Sequence, residues 1–189
     1  MLMYSPQGPW IPGFFPRKDR LRLATRLAWS VLHLHGNWLP EHWRSRDIIF
    51  PKSPGEVNLQ VSIQRPYLAW GVSYRGIGSS ESSSAIPSGV LFPLGLALIE
   101  LSQCRPMSAL QIPQDENPEE AVSLLKTANR CMDAVSCESG ERYGTVVRRC
   151  LYWSETKETS PDDREFQAAF QRLILAPLLD NLKEFDSTR

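Results

Sequence analysis

The chain has 189 residues, 42% of them hydrophobic, which suits a folded protein with one sizeable core and excludes an intrinsically disordered chain. Its 21 Lys and Arg balance its 21 Asp and Glu, and this formal net charge of zero argues against a general nucleic-acid binder, which carries a basic excess. Fifteen prolines predict irregular connections between elements.

Residues 1–17 are rich in Pro, Gly and aromatics, and Trp10, Ile11, Phe14 and Phe15 are expected to dock on the body as an extended arm. This start has no basic n-region and fits neither a signal peptide nor a membrane anchor, so a cytoplasmic or nuclear location is expected. From Lys18 to His35, Leu21, Ala24, Leu27, Ala28, Val31 and Leu32 recur at three- and four-residue steps, which predicts a helix with one apolar face. Arg20, Arg22 and Arg26 fall mostly off that stripe and read as a solvated face. After Gly36-Asn37, a stop signal, comes a loop with Trp38, His42 and Trp43. Asp47-Ile48-Ile49-Phe50 predicts a brief strand. Val57, Leu59, Val61 and Ile63 alternate with polar residues, as a half-buried strand requires. Tyr67–Tyr74 reads as a further strand interrupted by Gly71, and Ser79–Ser84 as a low-complexity loop.

Val90–Leu101, VLFPLGLALIEL, is the longest nearly unbroken apolar run. At about twelve residues it falls short of the roughly 20 that cross a bilayer, so it predicts a helix buried on most sides, packed against the helices at 18–35 and 163–185. Gly95 marks a place of close approach by a neighbour. Arg105–Gln114 is expected to be a loop. Asn117, Pro118 and Glu120 then form a helix start with a capping box, and Val122, Leu125, Ala128 and Met132 continue one face to about Val135. A second helix covers about Arg142–Trp153. Ser160-Pro161-Asp162-Asp163 repeats the capping logic before a last helix, which Pro177 should kink. The expected organisation is an arm at 1–17, a single helical domain at 18–185 and a tail at 186–189: mainly α with a small β element.

Cys104, Cys131, Cys137 and Cys150 form no C-x-x-C pair and stand far in sequence from His33, His35 and His42, so neither a zinc site nor a disulfide framework is expected. Cys131 and Cys150 fall on apolar faces and read as buried reduced thiols. His33 and His35, two apart, point to different sides of a helix.

This order of elements resembles the C-terminal lobe of the protein kinase fold. Leu34-His35, Trp38-Leu39 and Asp47-Ile48-Ile49-Phe50 look like the end of the kinase E helix running through a catalytic loop. The resemblance implies a vestigial catalytic-loop-like region at His42, Arg44 and Asp47. The apolar run resembles the kinase F helix, with Phe92 at its Trp position, Gly95 at its Gly, and Glu100-Leu101 at its Glu-Leu; these four are expected in the structural core. A closer resemblance is to an uncharacterised fungal domain family, a degenerate kinase lobe often found with HeLo-type domains. Its features are R-x-x-L-A-x-x-L-A-x-x-V-L-x-L-H, read here from Arg20 or Arg22 to His35, then D-I-I-F and L-G-x-x-L-x-E-L. A terminal set follows at Gly140, Tyr143, Val146 or Val147, Cys150 and Leu151.

Phosphoryl transfer needs phosphates held in place, metal ions to neutralise charge and a base to orient the nucleophile. Only about 17 residues precede the first helix, and they hold no glycine-rich loop or strand lysine. Pro40-Glu41-His42 stands where H-R-D would, and no Asp occurs between Asp47 and Asp115 to serve as the D-F-G metal ligand. The resemblance therefore implies a non-catalytic, pseudokinase-like module of fungal signalling, incompatibility or immunity, working through protein partners, with no cofactor, metal, nucleic acid or membrane. The alternatives are an enzyme with a site repurposed around His42 and Asp47, and a truncated remnant of a larger kinase-like protein.

Overall fold

The structure, a computed structural model, describes residues 16–34, 43–49, 67–68, 91–154 and 163–187. Among these, the helices are α1 (Arg17–Leu34), α2 (Leu91–Gln103), α3 (Met107–Leu110), α4 (Glu120–Ser139), α5 (Glu141–Leu151), α6 (Arg164–Phe170) and α7 (Ala176–Ser187). A 3-10 turn at Ser45–Asp47 leads into strand β1 (Ile48–Ile49), which pairs antiparallel with β2 (Tyr67–Leu68), Ile48 opposite Leu68 and Ile49 opposite Tyr67. The protein is mainly helical. The predicted arm, the strand at Val57–Ile63 and the Ser79–Ser84 loop lie outside the described residues.

Helix α2 is the centre. Every residue from Leu91 to Ile99 is buried, as its apolar circumference requires. Pro93 sits in the first turn, where an amide would have no intrahelical partner. Gly95 faces α5 so closely that an added Cβ would stand 3.0 Å from Leu151 Cδ2 and 3.1 Å from the Cβ of Cys150. Helix α5 fills that opening because its apolar residues Tyr143, Val146, Val147, Cys150 and Leu151 form one face. The main neighbours of α2 are α5, α4 and α1. This corrects the expected contact with the C-terminal helices: α5 occupies the face that Gly95 opens, and α7 lies against α1 and α5 instead.

The α2 C-terminus closes with Cys104 in the left-handed region at φ 51° and the Arg105 amide donating to the Glu100 carbonyl at 3.2 Å. Arg20 reaches this end from α1. Its Nη1 donates to the Ser102 carbonyl at 2.6 Å and contacts Cys104 Sγ at 3.4 Å, and its Nη2 pairs with Glu138 Oε1 at 2.5 Å. The side chain is only 12% exposed, so the solvated-face reading of Arg20 is corrected. The physical reason is the negative end of the α2 dipole together with a carboxylate from α4. Beside it, Ser102 Oγ and Ser139 Oγ lie 2.8 Å apart, and Asn181 Nδ2 donates to the Ser139 carbonyl at 3.1 Å, joining α2, α4 and α7.

The expected loop after Arg105 is folded. It contains α3 and a 3-10 turn at Pro113–Asp115. Asp115 is 5% exposed and takes Arg130 Nη2 at 2.6 Å, Thr127 Oγ1 at 3.1 Å and the Ile112 amide at 3.2 Å, while Arg130 also donates to the Leu110 carbonyl at 2.6 Å. Asn117 Oδ1 takes the Glu119 amide at 3.1 Å, forming a turn before the helix in place of the predicted capping box. Helix α4 starts at Glu120 and runs past Val135 to Ser139.

Asp163 caps α6, its Oδ1 accepting from the Glu165 amide at 2.9 Å. Between α6 and α7 the helix widens into a π segment at Gln171–Leu175, just ahead of Pro177. The predicted interruption at Pro177 thus takes this form. Pro lacks the N–H that would reach back to Leu173, and the carbonyl of Leu173 accepts from Arg149 Nη1 at 3.0 Å instead.

Candidate functional site

The region singled out by its sequence begins at Trp43, since His42 lies outside the described residues. Trp43 is 1% exposed, and its indole Nε1–H has no hydrogen-bond partner among the described residues. Arg44 follows, half-buried, with its backbone amide donating to Asp47 Oδ2 at 2.8 Å across the 3-10 turn. A short acidic residue three positions on is what such a turn needs, because its carboxylate can fold back on a backbone donor. Arg44 Nη1 bonds the Trp43 carbonyl at 3.3 Å, and its Nη2 lies 4.0 Å from Glu120 Oε1 on the exposed start of α4.

Glu100 completes the cluster from α2. Its Oε1 accepts from the Met107 amide at the start of α3, 2.6 Å away, and its side chain also bonds Ser45. Burial pushes the Glu100 carboxyl above the usual carboxylate range; the bonds from Ser45 and Met107 and the charge of Arg44 pull the other way and only partly offset it. One carboxylate therefore ties together the central helix, α3 and the turn before β1.

Of the residues expected in the core, Phe92, Gly95 and Leu101 are buried. Glu100 is half-buried and belongs to the junction with Arg44, Ser45 and Met107, an association the sequence did not suggest. Ser45 and the Met107 amide were also missed. Neither residue type announces itself, because their role comes from the approach of two segments far apart in sequence. Asp115 and Arg130 form a second ionic cluster within 3-10 turn and α4, with the Arg130 guanidinium holding the Asp115 carboxyl below its ordinary range.

Chemically, the junction offers a shielded carboxyl, a hydroxyl and a guanidinium. Asp47 is turned onto its own backbone. Among the described residues no three His, Cys, Asp or Glu side chains gather as they would around a metal ion, and no helix is long and apolar enough to cross a membrane.

A family model described as a domain of unknown function, DUF7580, matches residues 4–185. The chain belongs to the DUF7580 family. No curated protein and no solved structure matches it. The match spans both the Ser45–Asp47 turn and the central helix, so the Glu100 junction is part of the DUF7580 domain itself.

Proposed function

We propose that this chain is a non-catalytic interaction module, pseudokinase-like in descent and part of fungal signalling, acting through contacts with other proteins in the cytoplasm or nucleus. The observation that carries the reading is the carboxylate of Asp47, engaged by the Arg44 amide at 2.8 Å within its own turn. A kinase-type loop would direct a ligand at this position toward Mg²⁺. The succession of a long helix, a short turn with a strand, a fully buried helix and then amphipathic helices supports the likeness to a kinase C-terminal lobe.

The test is calorimetry and thermal shift with ATP and Mg²⁺ on the purified chain. No magnesium-dependent stabilisation is expected. A stabilisation of several degrees, abolished by Asp47→Ala, would overturn the reading in favour of a working nucleotide site.

A second reading, an enzyme with a site repurposed around His42 and Asp47, draws on the raised Glu100 carboxyl beside Ser45, since shielded acids of this kind serve as proton donors. It requires Glu100→Gln to abolish a measurable turnover while the fold stays intact.

A further inference from the structure

Helix α1 is enclosed on nearly all sides: Leu21, Leu23, Ala24, Thr25, Leu27, Ala28, Val31 and Leu32 are buried. The exposed side chains of α1 are Arg22, Trp29 and His33, and the half-buried Arg26 lies between them on the same stripe. At 100° per residue these four fall within about 60° of arc and extend over about 16 Å of helix. Trp29 is 52% exposed, the most exposed large hydrophobic side chain among the described residues.

The indole is not loose. The His33 ring stacks on it with centroids 4.2 Å apart, and His33 Nδ1–H donates to the Trp29 carbonyl at 2.8 Å. This bond fixes the tautomer and orients the imidazole, which in turn restrains the indole. A restrained aromatic loses little entropy on binding, and Trp and Arg are the side chains that most often dominate binding energy.

Its charge decides what can lie against it. On this face stand Arg22 and Arg26, while Arg20 is turned inward onto Glu138, and the one acid of α1 is Asp19. Asp19 pairs with Arg22 at 3.6 Å, and Arg26 has no ion pair among the described residues. The partner must therefore be anionic and present an apolar side chain to Trp29. A nucleic acid fits less well, because one ring face is already covered by His33 and the chain has no net positive charge, 21 Lys and Arg balancing 21 Asp and Glu.

We propose that the Arg22–Arg26–Trp29–His33 stripe of α1 is a docking surface for an acidic amphipathic segment of a partner protein. This rests on the reading of the chain as an interaction module and names the partner's chemistry. Binding is dominated by the indole anchor, and the arginines set selectivity and salt dependence.

The experiment uses the full isotope-labelled chain and three probes: a synthetic helix-forming peptide of about 18 residues with Leu and Glu at helical spacing, the same peptide with Lys for Glu, and a thymidine oligonucleotide. The Glu peptide should shift the amides of residues 22–33 and the Trp29 indole resonance, with affinity falling about tenfold between about 0.05 and 0.5 M salt. The Lys peptide should not. In the doubly reversed chain, Arg22→Glu with Arg26→Glu, the preference should invert, and Trp29→Ala should weaken the Glu peptide at least about tenfold while the fold is kept. Shifts confined to other surfaces, equal binding of both peptides, stronger binding of the oligonucleotide, or self-association of the chain through this stripe would each overturn the proposal. Cross-linking in the source cells separates the two readings. If the doubly reversed chain captures the same proteins as the unaltered one, this surface falls and the interaction module stands. If no protein is captured by either, the module reading falls, while the peptide titration still judges the stripe.

Discussion

Arg149 donates from α5 to the carbonyl of Leu173 at 3.0 Å, completing a hydrogen bond that Pro177 cannot make. In a regular helix the amide four residues on would serve this carbonyl, and proline has none. The π segment ahead of Pro177 and the arginine from the neighbouring helix solve the same problem together. Arg149→Met should cost about 1–3 kcal/mol in urea unfolding, the range for an acceptor left unpaired. Much less should be lost when Pro177→Ala is already present, because an amide then becomes available at that point. Additive losses in the double mutant would show that Leu173 does not depend on Arg149.

The α2–α5 contact at Gly95 leaves no room for a side chain. Gly95→Leu should destabilise by about 1–3 kcal/mol through overpacking, and Gly95→Ala by less. Hydrogen exchange should find the α2 amides among the slowest in the chain, as expected for the most enclosed helix. Early opening of α2 would place the core elsewhere.

The four thiols should separate by reactivity. Cys104, Cys131 and Cys150 are buried and Cys137 is exposed, and all are free. Burial raises the Cys131 thiol and raises Cys150 further, which withholds the reactive thiolate. A thiol reagent added to the native chain should label Cys137 quickly and the other three only on unfolding. Mass mapping of early labelled peptides decides it, and rapid labelling at Cys150 would contradict its place under Gly95.

Two carboxyls should pull stability in opposite directions with pH. Asp115 is held below its ordinary value of 3.8, chiefly by the bond from Arg130, so its contribution is present above that value and is lost as pH falls through the depressed folded value. Glu100 is raised above 4.5 by burial, so its contribution is present below 4.5 and is lost as pH rises through the raised value. Asp115→Asn should therefore flatten the acid limb of a stability–pH curve. Glu100→Gln, which keeps an acceptor for Met107 without burying a charge, should gain on the unaltered chain as pH rises from 4.5 toward neutrality. A difference that does not change with pH would mean Glu100 is not shielded as described.

What the sequence determined by itself was local. The continuous apolar run predicted the enclosure of α2, three- and four-residue spacing predicted the buried faces of α1 and α5, and the Ser160–Asp163 segment marked the start of α6. On α4 the spacing found Ala128 and Met132, while Val122 and Leu125 are only half-buried because the buried face there is carried by Ser123, Thr127 and Cys131. Pro177 marked a break, because a missing amide has its effect within one turn. Each of these follows from backbone geometry and the spacing of apolar side chains, which neighbours in the chain already fix. The destinations of the charged groups were decided only by tertiary structure. Arg20 bonds a carbonyl 82 residues away, Glu100 joins the turn at Ser45, and Asp115 finds Arg130 across a 3-10 turn that had read as loop. A buried charge settles where helix ends and counter-charges converge, and that convergence exists only once α1, α2 and α4 have packed.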